Sequence, residues 1–189
     1  TANLSGLPFN IPIPQNTGAL PFFLPNAVTL TDILAAAGYS QVFMCGSDIR
    51  FASRDVLLRT HGNVELRDFE YFKERGRLPA DYWEFWGFED KKLYDFARDA
   101  LTDLAQGPAP FNFMLLTVDT HMPSGYECDL CKRVYAGGKN PQMKNAIACA
   151  DRQIGSFLDW IRAQPWYENT TVVIVGDHLM MLTDENDVF

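Results

Sequence analysis

Thr171-Val172-Val173-Ile174-Val175-Gly176-Asp177-His178 is the stretch whose reading decides the fold. Five β-favouring residues in a row read as a central strand, because a strand covered on both faces has no polar side to alternate with. The run stops at a glycine. A carboxylate and an imidazole follow directly at its carboxyl end. Open α/β sheets place their ligand sites at that end, and Asp beside His suits a divalent metal ion.

Two earlier segments have the same form. Asn112 to Val118 is an apolar strand that ends in Asp119-Thr120-His121-Met122-Pro123. Gln41 to Cys45 runs into a loop that carries Asp48, Arg50, Arg54 and Asp55. A helix is expected before each strand. The first covers Leu30 to Ala37 and is stopped by Gly38. The second covers Lys91 to Ala105, with Leu93, Phe96, Ala97, Ala100, Leu101 and Leu104 on one face. The third covers Lys144 to Ala163, with Ile147, Ile154, Phe157, Leu158 and Ile161 on one side and Pro165 beyond its end. Alternating helices and strands imply an α/β fold with a mostly parallel sheet and right-handed crossovers. Parallel strands share one carboxyl edge, so Arg54, His121, Asp177 and His178 are expected to converge there.

The 189 residues form one domain or a large piece of one, and a hydrophobic fraction of 47% is enough for a core. Lys and Arg total 16 against 24 Asp and Glu, a net charge of −8. That balance gives no general attraction to nucleic acid or anionic lipid. No apolar run approaches the ~20 residues that span a bilayer, and no signal peptide is visible. The chain opens without Met and reads as an excised, soluble piece of a longer protein. The opening to Pro25 reads as irregular chain, Asp68 to Phe88 as an aromatic surface excursion, and the end after Met181 as a polar tail.

Of the four cysteines, Cys45 lies in an apolar strand and reads as a small core residue. Cys128 and Cys131 form a C-x-x-C. With Cys149 and His121 they could bind zinc, but the second half of a zinc motif is missing. A disulfide between Cys131 and Cys149 is the preferred reading. It would close the polar loop Lys132 to Asn145 onto the third helix and imply an oxidising compartment. Free surface thiols are the remaining alternative.

Several segments together resemble the phosphoglycerol transferase branch of the alkaline phosphatase/sulfatase superfamily, with lipoteichoic acid synthases as more distant relatives. They are Ser5-Gly6-Leu7-Pro8, Leu30-Thr31-Asp32-Ile33-Leu34, Arg50-Phe51-Ala52-Ser53-Arg54-Asp55 and Trp86-Gly87-Phe88-Glu89-Asp90. Gly38-Tyr39, His61-Gly62, Leu116-Thr117-Val118-Asp119-Thr120-His121-Met122-Pro123, Pro165-Trp166-Tyr167 and Gly176-Asp177-His178-Leu179 complete the set. The order and spacing carry the likeness across nearly the whole chain. It implies a three-layer α/β/α domain, of which residues 1–189 would be a piece lacking the amino-terminal nucleophile segment and the carboxyl-terminal part. The parent would be anchored at the periplasmic face of a bacterial inner membrane. It would move phosphoglycerol from phosphatidylglycerol to a glucan through a covalent intermediate on a Thr, with Mn, Mg or Zn as cofactor. Asp177 and His178 match the family's metal-binding pair. His121 matches a catalytic, substrate-contacting His, and Arg54 a basic substrate contact. An aromatic residue of the synthases is replaced by Ala52, and a His near Cys45 is missing, which points to a different acceptor or grip on glycerol.

The chemistry agrees with this assignment. Phosphodiester transfer needs positive charge on the non-bridging oxygens and an activated nucleophile. Without the resemblance, Asp177 reads equally well as a turn cap, His121 as a loop histidine and Arg54 as a partner of Asp48 or Asp55. His61 reads as structural. Trp83, Trp86 and Phe88 read as packing before they read as a sugar- or lipid-facing platform. Competing functions are a sulfatase, phosphatase or phosphoethanolamine transferase of the same superfamily, and a non-catalytic carbohydrate-binding module.

Overall fold

A computed structural model describes residues 2–8 and 22–178. Most of the opening stretch, Leu179 and the polar tail lie outside the described residues. After a short helix α1 (Ala2–Ser5), helix α2 (Leu30–Ala36) begins with a capping box. The Thr29 hydroxyl accepts from the Asp32 amide at 3.3 Å, and the Asp32 carboxylate accepts from the Thr29 amide at 2.8 Å. Gly38, at φ 81°, ends the helix, and the Tyr39 amide turns back to the Leu34 carbonyl.

The rest follows as β1 (Ser40–Cys45), α3 (Arg54–Thr60), β2 (Glu65–Arg67), α4 (Phe69–Glu74), α5 (Asp90–Ala105), β3 (Phe111–Leu116) and α6 (Pro141–Arg162). The strand order is β2-β1-β3, and both pairings are parallel. Residues along each strand face opposite sides of the sheet in turn. Phe111, Phe113 and Leu115 pack with Met44 against Phe72, Phe88, Leu93, Phe96, Phe157 and Ile161. Phe43, Met114 and Leu116 pack with Cys45 against Ile49, Leu58, Val64 and Leu4. Helices therefore cover both faces of a parallel sheet, the three-layer α/β/α arrangement expected. The buried face of α5 is Leu93, Tyr94, Phe96, Ala97, Ala100 and Leu101. Cys45 is fully buried in the core.

Two expectations are corrected. Residues Thr171 to Val175 form no strand and pair with none of the described strands; Val173 is 73% exposed and Val175 61%. Valine and isoleucine give a segment β-propensity, but the neighbours that make it central come from elsewhere in the fold. The stretch from Asp68 to Phe88 is not a surface excursion. It contains α4, capped by the Asp68 side chain, and it sends Phe69, Phe72, Leu78 and Phe88 into the core. Only Trp83 among its tryptophans stands largely in solvent.

Cys131 and Cys149 are joined by a disulfide across a sequence separation of 18. Two bonded sulfurs cannot serve as thiolate ligands, so the zinc reading of this cluster is excluded. Cys128 stays a buried free thiol. Buried Asn145 holds the loop against α6 by accepting from the Val134 and Tyr135 amides, both at 2.9 Å. A Cys131→Ser, Cys149→Ser double variant is expected to lose about 3 kcal/mol of stability in urea unfolding, the loop-closure contribution for a ring of this size.

Candidate active site

The carboxyl ends of β1 and β3 carry the residues of interest. After β1 the backbone takes two successive left-handed steps, at Ala52 (φ 55°, ψ 29°) and Ser53 (φ 55°, ψ 31°). Neither residue is a glycine, so this is strain held by its surroundings. The turn aims Arg54, the first residue of α3, back across the loop. Its Nη2 donates to the Asp48 carbonyl at 2.7 Å and the Ser47 hydroxyl at 3.0 Å; its Nε donates to the Phe51 carbonyl at 3.1 Å. The guanidinium lies 5.6 Å from the centre of the Phe51 ring. The Asp48 carboxylate is held by Arg50 instead, which lowers its pKa by direct hydrogen bonding.

This loop is stitched to the segment before α5. The Phe88 amide donates to the Gly46 carbonyl at 3.0 Å, and Ser47 bridges Gly87. The stitch presents Trp86 to the site. Its ring centre lies 6.0 Å from that of Phe51 and 4.4 Å from that of His121. Phe88, next but one, turns the other way and is fully buried.

His121 rides on the loop after β3. Its Nδ1 lies 2.8 Å from the Met122 carbonyl. A carbonyl can only accept, so Nδ1 carries a hydrogen and the neutral ring keeps its lone pair on Nε2. Its ring centre is 6.4 Å from that of His178. A continuous line of contacts thus runs from Arg54 through Phe51, Trp86 and His121 to His178 and Asp177. Phe51 is the member that sequence reasoning missed, and Trp86 is one that it ranked as packing ahead of a substrate platform. The usable signal was Trp86 beside Gly87, since a glycine that backbone must approach closely fixes its neighbour's direction.

Asp177 and His178 are 61% and 56% exposed. The Asp177 carboxylate accepts from the His178 amide at 2.9 Å. A carboxylate oxygen next to an imidazole suits Mn, Mg or Zn. Among the described residues, however, no group of three or more His, Cys, Asp or Glu is placed to hold an ion. The pair fits part of a divalent site.

His61 belongs to the scaffold. Its Nδ1 meets the Asp32 carboxylate at 2.8 Å and its Nε2 the Phe23 carbonyl at 2.7 Å. Burial alone would lower its pKa, but these acceptors outweigh burial and raise it. Arg54 reaches neither the Asp48 nor the Asp55 carboxylate; its bonds are to the loop backbone and Ser47.

A parallel sheet between helix layers, with polar residues at its carboxyl edge, is the architecture of alkaline phosphatase-like proteins. An alkaline phosphatase superfamily protein from Vibrio parahaemolyticus superposes with a TM-score of 0.64 at 21% identity, over 87% of this chain and 38% of that one. The lipoteichoic acid synthase LtaP from Listeria monocytogenes superposes with a TM-score of 0.60 at 21% identity, over 72% of this chain and 33% of that one. Residues 8–188 match the Sulfatase family, and the chain belongs to it. Phosphoglycerol transferase I of Escherichia fergusonii is 36% identical over 183 residues, and that of Escherichia coli 35%. These matches take in 95% of this chain and 24% of each relative, so the chain spans about a quarter of their length.

Proposed function

We propose that this chain is the substrate-gripping part of a domain that transfers phosphoglycerol from phosphatidylglycerol to a glucan hydroxyl at the periplasmic face of a bacterial inner membrane. The line of contacts from Arg54 through Trp86 and His121 to His178 carries this reading, in a chain 36% identical to a phosphoglycerol transferase I. The nucleophile, a Thr, is assigned to a segment preceding residue 1.

Arg54 commits Nε and Nη2 to its own loop, which fixes the guanidinium plane and leaves Nη1 to meet a non-bridging phosphate oxygen. His121 is held by its Nδ1 bond, so Nε2 points its lone pair at the reacting groups. In the first half-reaction the Thr oxygen forms a bond to phosphorus and its proton passes to His121 Nε2, while the bond to the diacylglycerol oxygen breaks and that oxygen takes the proton from His121. In the second, the glucan oxygen bonds to phosphorus and its proton passes to His121 Nε2, while the Thr oxygen leaves and takes that proton back. Asp177 and His178 would hold a divalent ion, which when bound supplies Lewis-acid charge at the phosphate and acidifies the nucleophile.

The test is a transfer assay with the full-length protein, phosphatidylglycerol labelled in its headgroup glycerol, a periplasmic glucan and Mn²⁺. Label is expected to move to the glucan, and EDTA to stop it. Label left on the lipid while an aryl sulfate is hydrolysed would replace this reading with a sulfatase. Glucan binding with no turnover of either ester would replace it with a non-catalytic carbohydrate module.

A further inference from the structure

Behind His121 lie two carboxylates that the transfer chemistry does not use. Asp90, the first residue of α5, and Asp119, just after β3, are each only 1% exposed. They hold each other's backbone. Asp90 Oδ1 accepts from the Val118 amide at 2.8 Å, and its Oδ2 accepts from the Asp119 amide at 3.0 Å. Asp119 Oδ1 accepts from the Asp90 amide at 3.1 Å. Asp119 Oδ2 is buried with no hydrogen-bond partner among the described residues.

The clasp governs where His121 sits. The His121 amide donates to the Val118 carbonyl at 2.8 Å, the Gly125 amide to the His121 carbonyl at 3.0 Å, and the Tyr126 amide to the Asp119 carbonyl at 2.7 Å. The loop's hydrogen bonds therefore begin at the residues that Asp90 holds.

Two adjacent carboxylates buried without a cation do not both ionise. The titratable groups that act on the pair or feel its field are Glu89, Tyr94, Tyr126 and Cys128, and none is cationic. Lys92 is engaged with Glu89 at 2.6 Å. The hydrogen bonds say which oxygen holds the proton. Both Asp90 oxygens already face N–H donors, where a proton would clash. Asp119 Oδ2 faces none.

We propose that Asp90 and Asp119 are positioning residues that share one proton, with Asp90 the anion and Asp119 the neutral acid, and that this clasp sets the His121 loop for transfer. The effect on transfer rests on the function proposed above; the proton count does not. Burial, and then the Asp90 charge, raise the Asp119 pKa, in the same sense.

The sign of the pH dependence follows. A carboxyl group whose pKa is raised on folding binds its proton more tightly in the native than in the unfolded state. Its contribution is fully present below the unfolded value of 3.8 and is lost as pH rises through the native value. Asn at position 119 mimics the neutral acid and does not titrate. Asn at position 90 turns an amide N–H₂ towards a backbone N–H.

The experiment uses the full-length protein. Thermal unfolding is followed from pH 5 to 9 for wild type, Asp119→Asn and Asp119→Ala. Amide hydrogen exchange of residues 118–126 is measured for these proteins and for Asp90→Asn. Asp119→Asn is expected to keep loop protection and transfer within about threefold of wild type, and to lose less Tm than wild type between pH 5 and 9. Asp119→Ala and Asp90→Asn are expected to lose loop protection, and transfer by tenfold or more. Parallel Tm profiles for wild type and Asp119→Asn would overturn the shared proton. So would Asp119→Asn behaving like Asp119→Ala. Unaltered loop protection in Asp90→Asn would overturn the clasp. An inactive wild type with diverging Tm profiles would remove the transfer function and keep the clasp.

Discussion

Asp177→Ala in the full-length protein is expected to lower phosphoglycerol transfer on the order of 10³-fold or more, and to abolish tight Mn²⁺ binding in calorimetric titration. On the proposed function the effect is large because one carboxylate would contribute both a ligand and the charge that hold the ion, and charge stabilisation is the main demand of phosphoryl transfer. Asp177 is exposed and bonds within the described residues only to His178, whose amide donates to its carboxylate and whose ring Nε2 lies 3.4 Å from its Oδ2. The melting temperature of the metal-free protein should therefore stay within a degree or two of wild type. Asp177→Asn keeps one oxygen ligand without the charge and should fall between the two. Unchanged transfer in Asp177→Ala would rule out the metal assignment.

Gly87→Ala is expected to cost more than about 4 kcal/mol, in the range reserved for changes that the surroundings cannot absorb. Gly87 sits at φ 149°, and a Cβ there would stand 2.0 Å from the Gly46 carbonyl oxygen. Gly46 faces the same limit, since its Cβ would meet the Phe88 carbonyl oxygen at 2.2 Å. Both obstacles are backbone, so no rotamer change relieves them. Guanidinium unfolding measures the loss. Any variant that still folds should show Trp86 displaced from His121 as altered indole fluorescence. A Gly87→Ala protein of wild-type stability would mean that the two loops are not stitched as described.

Strong single-faced periodicity made α5 and α6 legible from sequence, and the alternation of helix and strand gave β1 and β3 their parallel pairing. Strand β2 was not legible because Glu65-Leu66-Arg67 is too short and too charged to show an alternating pattern. Helix α4 was obscured by its aromatic and charged composition, although Asp68 at the cap and Phe69 with Phe72 on one face were the signals to use. Thr171 to Val175 failed in the opposite way. Composition showed its preferred conformation and nothing of its partners. At the site, Arg54, His121, Asp177 and His178 were singled out by the resemblance, since position in the chain alone left each of them equally readable as a cap, a loop residue or an ion-pair partner. Trp86 was ranked as packing, because its approach to His121 depends on a contact between two loops some forty residues apart.

The uncovered valine-rich segment has a consequence for how this chain behaves at high concentration. Thr171 to Val175 is uncharged, free of proline and rich in β-branched side chains, with Val173 and Ile174 turned mostly to solvent. Such a ribbon is a template for stacking against its own copies, and interdigitated valine and isoleucine layers make dry, durable fibrils. The net charge of −8 opposes that self-association through repulsion between chains. Salt weakens this repulsion, so the isolated chain is most prone to clump in concentrated, high-salt solution.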